Sequence, residues 1–171
     1  MTLALALALL TGASEPDLLA PAERGEMQCY TPDVARKTCR ALASYVKQAD
    51  GSYLNTARIL LEPARDIVLE TTTVVHVTSD GVCGRLTRSD ALGGALTIAG
   101  VPQSPEQAAP VLTLFADIEE KAGFFGALIC TCYPADGEMM KALVSVGGVR
   151  RSEFDDSVIW VRPDQGYRVG R

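Results

Sequence analysis

The sequence predicts a single α+β domain made of two similar units, each a helix followed by three strands of an antiparallel sheet. The chain has 171 residues, of which 47% are hydrophobic and 22% charged, enough for one domain with a hydrophobic core. In each half an Asp-Gly pair lies between strand-like segments, and a helix-capping sequence precedes it. We interpret this correspondence, between about residues 29–88 and 104–171, as an internal duplication, which requires superposable halves.

The first half begins with a predicted helix at Thr31, whose hydroxyl suits the cap position and is followed by a proline that suits the first helical position. Strand-forming residues then flank Asp50-Gly51, from Ala43 to Lys47 and from Tyr53 to Leu61. Such a pair between two strands is typical of a tight hairpin. The third strand is predicted from Ile67 to Thr78.

The second half repeats this order. Ser104 has a glutamine three residues later and a proline directly after it, which predicts a capped helix. Strands are predicted from Ala127 to Tyr133 and from Met139 to Val146, around Asp136-Gly137. The third strand is predicted from Ser157 to Val161.

Charge and hydropathy exclude two classes of partner. The chain has 16 Lys and Arg against 21 Asp and Glu, a formal net charge of −5, with both signs interspersed. No basic surface is therefore expected for nucleic acid or anionic lipid. No apolar run approaches the ~20 residues of a membrane-spanning helix. We expect no nucleic-acid partner and no transmembrane segment, and the partner is an unidentified protein or small molecule.

The amino terminus resembles a signal peptide over residues 1–22. Leu3 to Leu10 alternate leucine and alanine, and small residues follow. Cleavage is expected after Ala13 or after Ala22, which ends an A-x-A pattern. No Lys or Arg precedes the apolar run, so a buried amino-terminal helix is the alternative. Export predicts a secreted or periplasmic protein with one domain at residues 23–171.

The five cysteines predict disulfide bonds, which persist in an oxidising compartment, and their odd number leaves at least one unpaired. A helix from Thr31 to Cys39 brings Cys39 within roughly 5 Å of Cys29, if the preceding segment doubles back. We pair Cys83 with Cys130 and leave Cys132 free, although Cys130 and Cys132 share a strand face and are nearly equal candidates. One His and no C-x2-C pair argue against a structural metal, and no cofactor is expected.

Cys130 and Cys132 are also the sharpest chemical feature, because two thiols on one strand face can exchange disulfide partners. The alternative is one bridged cysteine and one inert one. A thiol-disulfide redox protein is therefore one functional hypothesis.

Three other residues are candidates for a ligand or catalytic site: His76, Trp160 and Tyr167. His76 is the only histidine and the only side chain whose ordinary pKa lies near neutrality. No nucleophile motif accompanies it. The aromatic pair could line a groove, although a lone tryptophan on an apolar strand usually belongs to the core.

Carboxylates form two groups, at Asp117, Glu119 and Glu120 and at Glu153, Asp155 and Asp156. A paired-acid hydrolase needs carboxylates that face each other across a cleft, and the sequence does not bring these groups together. The favoured hypothesis is therefore a non-catalytic secreted or periplasmic binding protein stabilised by disulfides. A redox protein is the alternative, and a small secreted hydrolase is the second alternative.

Overall fold

The computed structural model describes residues 18–171, and the signal-peptide prediction lies mostly outside this range. The described helices are α1 (Ala20–Glu23), α2 (Arg88–Leu92) and α3 (Pro105–Lys121), with 3-10 turns at Ser152–Phe154 and Pro163–Gln165. The described strands are β1 (Met27–Tyr30), β2 (Thr38–Cys39), β3 (Ala41–Lys47), β4 (Tyr53–Glu62), β5 (Ile67–Thr78), β6 (Gly81–Arg85), β7 (Ala95–Ile98), β8 (Val101–Pro102), β9 (Leu128–Cys132), β10 (Ala135–Asp136), β11 (Met139–Val146), β12 (Val149–Arg150), β13 (Asp156–Val161) and β14 (Arg168–Val169).

Eight of these strands close into an antiparallel barrel. The order around the ring is β1-β3-β4-β5-β6-β9-β11-β13, and β13 pairs back onto β1. Closure leaves these strands without an unpaired edge. The prediction of an α+β fold built from two helix-plus-three-strand units is therefore wrong.

Two observations overturn the duplication. No helix begins at Thr31, whose backbone φ is +46°, and the segment after it turns back so that Asp33 bridges Thr38. The two halves also do not form separate sheets, because β1 pairs with β13 and β6 pairs with β9. Local signals correctly located the two hairpins and six of the eight barrel strands, but they missed β1 and β6. They also carry no information about pairing between distant strands.

Several local predictions are confirmed. β3 and β4 form a hairpin in which Lys47 is opposite Tyr53, around Gly51 with φ +85°. β10 and β11 form a second hairpin around Gly137. The α3 helix begins after Ser104, whose hydroxyl accepts from the Gln107 amide in a capping box.

Two of the three hydrophobic clusters in residues 18–171 pack against helices. The first lies inside the barrel under α1, where Leu19 and Ala22 pack with Tyr45, Tyr53 and Val75. The second lies between α3 and the start of β5, where Ala108 and Leu112 pack with Ile67, Leu69 and Leu96. The helices α1 and α3 therefore cover different parts of the same closed sheet.

Two disulfide bonds are present, Cys29–Cys39 and Cys83–Cys130, with Cys132 as an exposed free thiol. These are the pairs expected from the sequence, although Cys39 lies on β2 after a turn and not on a helix. Cys83 is directly opposite Cys130 in the β6–β9 register. The bonds stabilise a globular protein and fit an oxidising environment. Within residues 18–171, no helix is long and apolar enough to cross a membrane.

Candidate ligand-binding site

A cavity of about 740 Å³, here called the end cavity, opens at one end of the barrel. Antiparallel strands alternate in direction, so the β3–β4 loop, the β5–β6 loop and the end of β9 meet at this end. Each contributes to the lining, which is mostly apolar. The apolar lining includes Leu18, Tyr53, Val77 and Leu143, and the polar lining residues include Lys47, Thr78 and Ser79.

A second cavity of about 650 Å³ lies on the other side of α1. Its lining includes Ala22 and Tyr45, and it shares Lys47 and Tyr53 with the end cavity. The α1 helix and the residues before it thus contribute to the lining of both cavities.

An ion pair fixes the end of α1 beside both cavities. The Lys47 ammonium lies 2.6 Å from Glu23 Oε1 and 5.6 Å from the centre of the Tyr53 ring. The hydrogen bond from Lys47 lowers the pKa of Glu23, and the same bond raises the pKa of Lys47. Glu23 therefore offsets the charge that Lys47 brings to the cavity lining.

A hydrogen-bonded network of three tyrosines and one glutamine lies inside the barrel. The Tyr45 hydroxyl donates to Gln28 Oε1 over 2.6 Å, and the Tyr30 hydroxyl donates to the same oxygen over 2.9 Å. The hydroxyl oxygens of Tyr30 and Tyr133 are 2.7 Å apart. Tyr133 lines the end cavity and Tyr45 lines the second cavity, so the network connects the two.

Gln28 is fully buried, and its Nε2 has no hydrogen-bond partner among the described residues. A buried donor without a partner is uncommon and costs free energy in the folded protein.

The three network phenols are held in their neutral form. Burial is the largest cause that raises the pKa of Tyr30, Tyr45 and Tyr133, and it places the first two well above their ordinary value. At neutral pH each phenol therefore keeps the proton it donates within the network.

The three ligand candidates from the sequence do not form one site. Trp160 is opposite Gln28 in the β1–β13 register, with its ring centre 6.3 Å from that of Tyr45. His76 is exposed and is opposite Cys83 in the β5–β6 register. Tyr167 packs beside the Cys29–Cys39 bond. Of the three, only Trp160 joins the residues around the interior network.

The sulfur atoms of Cys130 and Cys132 differ in oxidation state, because one is in a disulfide bond and the other is a free thiol. Cys130 is bonded to Cys83, whose sulfur is 3.3 Å from the Thr78 hydroxyl. Cys132 is free and lines the end cavity together with Thr78. The two thiols of the C-x-C sequence are thus not free together in this structure.

Arginines pair with several members of both carboxylate groups. Arg88 lies 2.7 Å from Asp117 and 2.5 Å from Glu120. Arg151 lies 2.6 Å from Glu153, and Arg150 pairs with Asp155. These pairs satisfy the carboxylates on the surface, away from the end-cavity lining. No cluster of three or more metal-ligating side chains occurs in the described part of the chain.

Sequence reasoning missed Gln28, Tyr30, Tyr45 and Tyr133. One signal was present, since Gln28 and Tyr30 alternate with Cys29 on β1 and must therefore face the opposite side from it. Only the closed ring makes that side an interior.

Comparison with models of known protein families, with curated proteins and with solved structures finds no match.

Proposed function

We propose that this protein is a non-catalytic binding protein that takes a small, mostly apolar molecule in the end cavity. The observation that supports it most directly is a mostly apolar cavity at the end of a closed eight-stranded barrel. Mouths of small barrels are common ligand sites, and a barrel of this size accommodates one small ligand.

The charges around the cavity favour a neutral ligand over an ionic one. The lining ammonium, Lys47, is bonded to Glu23. The nearby phenols stay neutral because of their burial. An ion that entered would lose its hydration without gaining an unpaired counter-charge, which is costly.

Export to the periplasm or the cell exterior is part of the proposal. Disulfide bonds persist in those compartments, and this chain has two of them. The leader-like residues 1–22 supply a route of export.

The direct test is titration with the neutral fluorescent probe N-phenyl-1-naphthylamine. We expect saturable binding by the folded protein with both disulfides formed. Val77→Glu places a charge in the cavity lining and should weaken binding at least about tenfold.

Val74→Glu is the matched control, because Val74 lies on the same strand and does not line the end cavity. The proposal fails if binding is not saturable, or if the two variants weaken it equally.

A second candidate function, thiol-disulfide exchange, rests on the position of Cys132 two residues from Cys130 on one face of β9. Attack of the Cys132 thiolate on the Cys83–Cys130 bond would form one new S–S bond and release one thiolate. Incubation of the purified protein at pH 8 followed by alkylation and peptide mapping tests it. Label on Cys132 alone opposes the exchange, and label on Cys83 or Cys130 supports it.

A further inference from the structure

We propose that the Gln28 amide is the polar anchor of the bound molecule, which is therefore an apolar compound with a neutral carbonyl group. This inference rests on the proposed binding function and deepens it. It starts from the one buried side-chain nitrogen that lacks a partner among residues 18–171.

The direction of each hydrogen bond in the network follows from Gln28. Its Oε1 is an acceptor only, so both Tyr30 and Tyr45 must donate to it. The proton of Tyr30 is then in use, and Tyr133 must donate in its 2.7 Å bond with Tyr30. All three phenolic protons are accounted for within the network.

The two N–H bonds of Gln28 Nε2 remain. Gln28 has no exposed surface, and no acceptor among the described residues lies in bonding geometry with this nitrogen. Nε2 is therefore a buried donor without an acceptor in bonding geometry, and a carbonyl oxygen of a bound molecule would satisfy it.

Access to the amide is through the cavity lining. Tyr133 lines the end cavity, and the Gln28 amide is close enough to its phenol to act on its pKa, in the direction opposite to burial. Tyr45 lines the second cavity and is bonded to Gln28 directly. Gln28 thus lies one side chain beyond the lining on either side. A molecule that enters and displaces Tyr133 brings its head group to Nε2.

A carbonyl fits this position better than a carboxylate. A carbonyl oxygen accepts from an amide without a net charge, and the neutral phenols around Gln28 provide no counter-charge for an anion. The ring centres of Tyr45 and Trp160 are 6.3 Å apart with their planes tilted by 57°, so the two rings pack against each other beside the network and keep its surroundings apolar.

The experiment compares three probes of one size: 2-acetonaphthone, the isosteric hydrocarbon 2-isopropylnaphthalene, and 2-naphthoate. We expect the ketone to bind about tenfold more tightly than either of the others. In Gln28→Met the ketone and the hydrocarbon should bind equally. Gln103→Met is the control, since Gln103 donates to Val101 far from the barrel interior, and it should keep the preference.

A measurement on the wild-type protein covers the case in which Gln28→Met does not fold. The infrared C=O stretch of bound 2-acetonaphthone should shift to lower frequency than in hexane, as a hydrogen-bonded ketone does. Equal affinities for ketone and hydrocarbon, or an unshifted C=O stretch, overturn this inference and leave the binding function intact. Absence of binding by all three probes overturns both.

Discussion

Cys83 and Cys130 lie directly opposite each other across the β6–β9 pair, with their Cα atoms 4.1 Å apart. Within the barrel ring, this pair is one of the two places where strands from the two halves of the chain meet, the other being β1 with β13. The bond therefore holds a junction on which closure of the barrel depends.

Removal of this bond should cost more stability than removal of the other. Cys83 and Cys130 are 47 residues apart in sequence, whereas Cys29 and Cys39 are 10 apart. By restricting the unfolded chain, the bond that closes the longer loop should stabilise the folded protein by about 4 kcal/mol, and the bond that closes the shorter loop by about 3 kcal/mol. Urea unfolding of the double Cys→Ser variants measures both.

Cys132→Ser is the control, because Cys132 is unpaired and exposed. It should change the free energy of unfolding by less than about 0.5 kcal/mol. A larger loss from the Cys29/Cys39 variant than from the Cys83/Cys130 variant would contradict the junction argument.

Gly81 should tolerate no side chain. It begins β6 with a φ of +114°, and a Cβ there would come 2.3 Å from the Thr131 carbonyl oxygen on β9. Gly81→Ala must therefore push β6 and β9 apart beside the end cavity, and we expect a loss of about 2–4 kcal/mol in thermal or urea unfolding.

Gly137→Ala separates the steric effect from the backbone effect. Gly137 also has a positive φ, +64°, but open space surrounds its Cβ position. Gly137→Ala should therefore lower the free energy of unfolding by about 1 kcal/mol. Equal losses in the two variants would show that close approach to β9 does not matter.

Local sequence signals located six of the eight barrel strands and the helix α3, but not the arrangement of the strands. β5 was predicted from Ile67 to Thr78 and has those bounds. The Ser104 capping box was also predicted and is present. These features depend on residues within a few positions of one another. Pairing of Met27 with Val161 depends on residues more than a hundred positions apart, which alternation and turn residues do not encode.

The first predicted helix shows how a local signal is overridden. Thr31 and the proline after it suit a helix start, yet the Cys29–Cys39 bond and the Asp33–Thr38 bridge hold this segment as a turn. The Cys29–Cys39 bond was nevertheless predicted correctly, because the predicted helix and the observed turn both bring the two sulfur atoms close. The site was harder to predict, since Gln28 and Tyr133 are 105 positions apart and meet only through closure.

The position of α1 favours one of the two predicted cleavage sites. Leu19 has no exposed surface and Ala22 is buried, and both pack in the barrel cluster with Tyr45 and Tyr53. Cleavage after Ala22 would remove both residues from the core, whereas cleavage after Ala13 would keep them. We therefore expect the exported protein to begin at Ser14, as read by amino-terminal sequencing.

Two purified chains test, without export, whether the packing of Leu19 and Ala22 stabilises the barrel. A chain that begins at Glu23 should be about 2–5 kcal/mol less stable than one that begins at Ser14, the usual cost of losing a large buried apolar side chain. Leu19→Ala in the longer chain should account for much of that loss. Equal stability of the two chains would remove the argument against cleavage after Ala22.

The buried phenols should make the protein sensitive to alkali. Burial raises the pKa of Tyr30, Tyr45 and Tyr133 in the folded state, while in the unfolded chain these groups ionise near their ordinary pKa of about 10. The stabilisation from their neutral forms is complete below pH ~10. Above that pH the unfolded chain releases protons that the folded protein retains, so stability falls as pH rises.

Each such phenol contributes up to about 1.4 kcal/mol per pH unit to this fall. Urea unfolding between pH 8 and pH 11.5, with phenolate absorbance at 295 nm, should show three of the five tyrosines ionising together with unfolding. Tyr45→Phe removes one of the three raised pKa values, so stability should fall less steeply with pH in this variant. If all five tyrosines ionise while the barrel stays folded, the buried network of neutral phenols does not exist in solution.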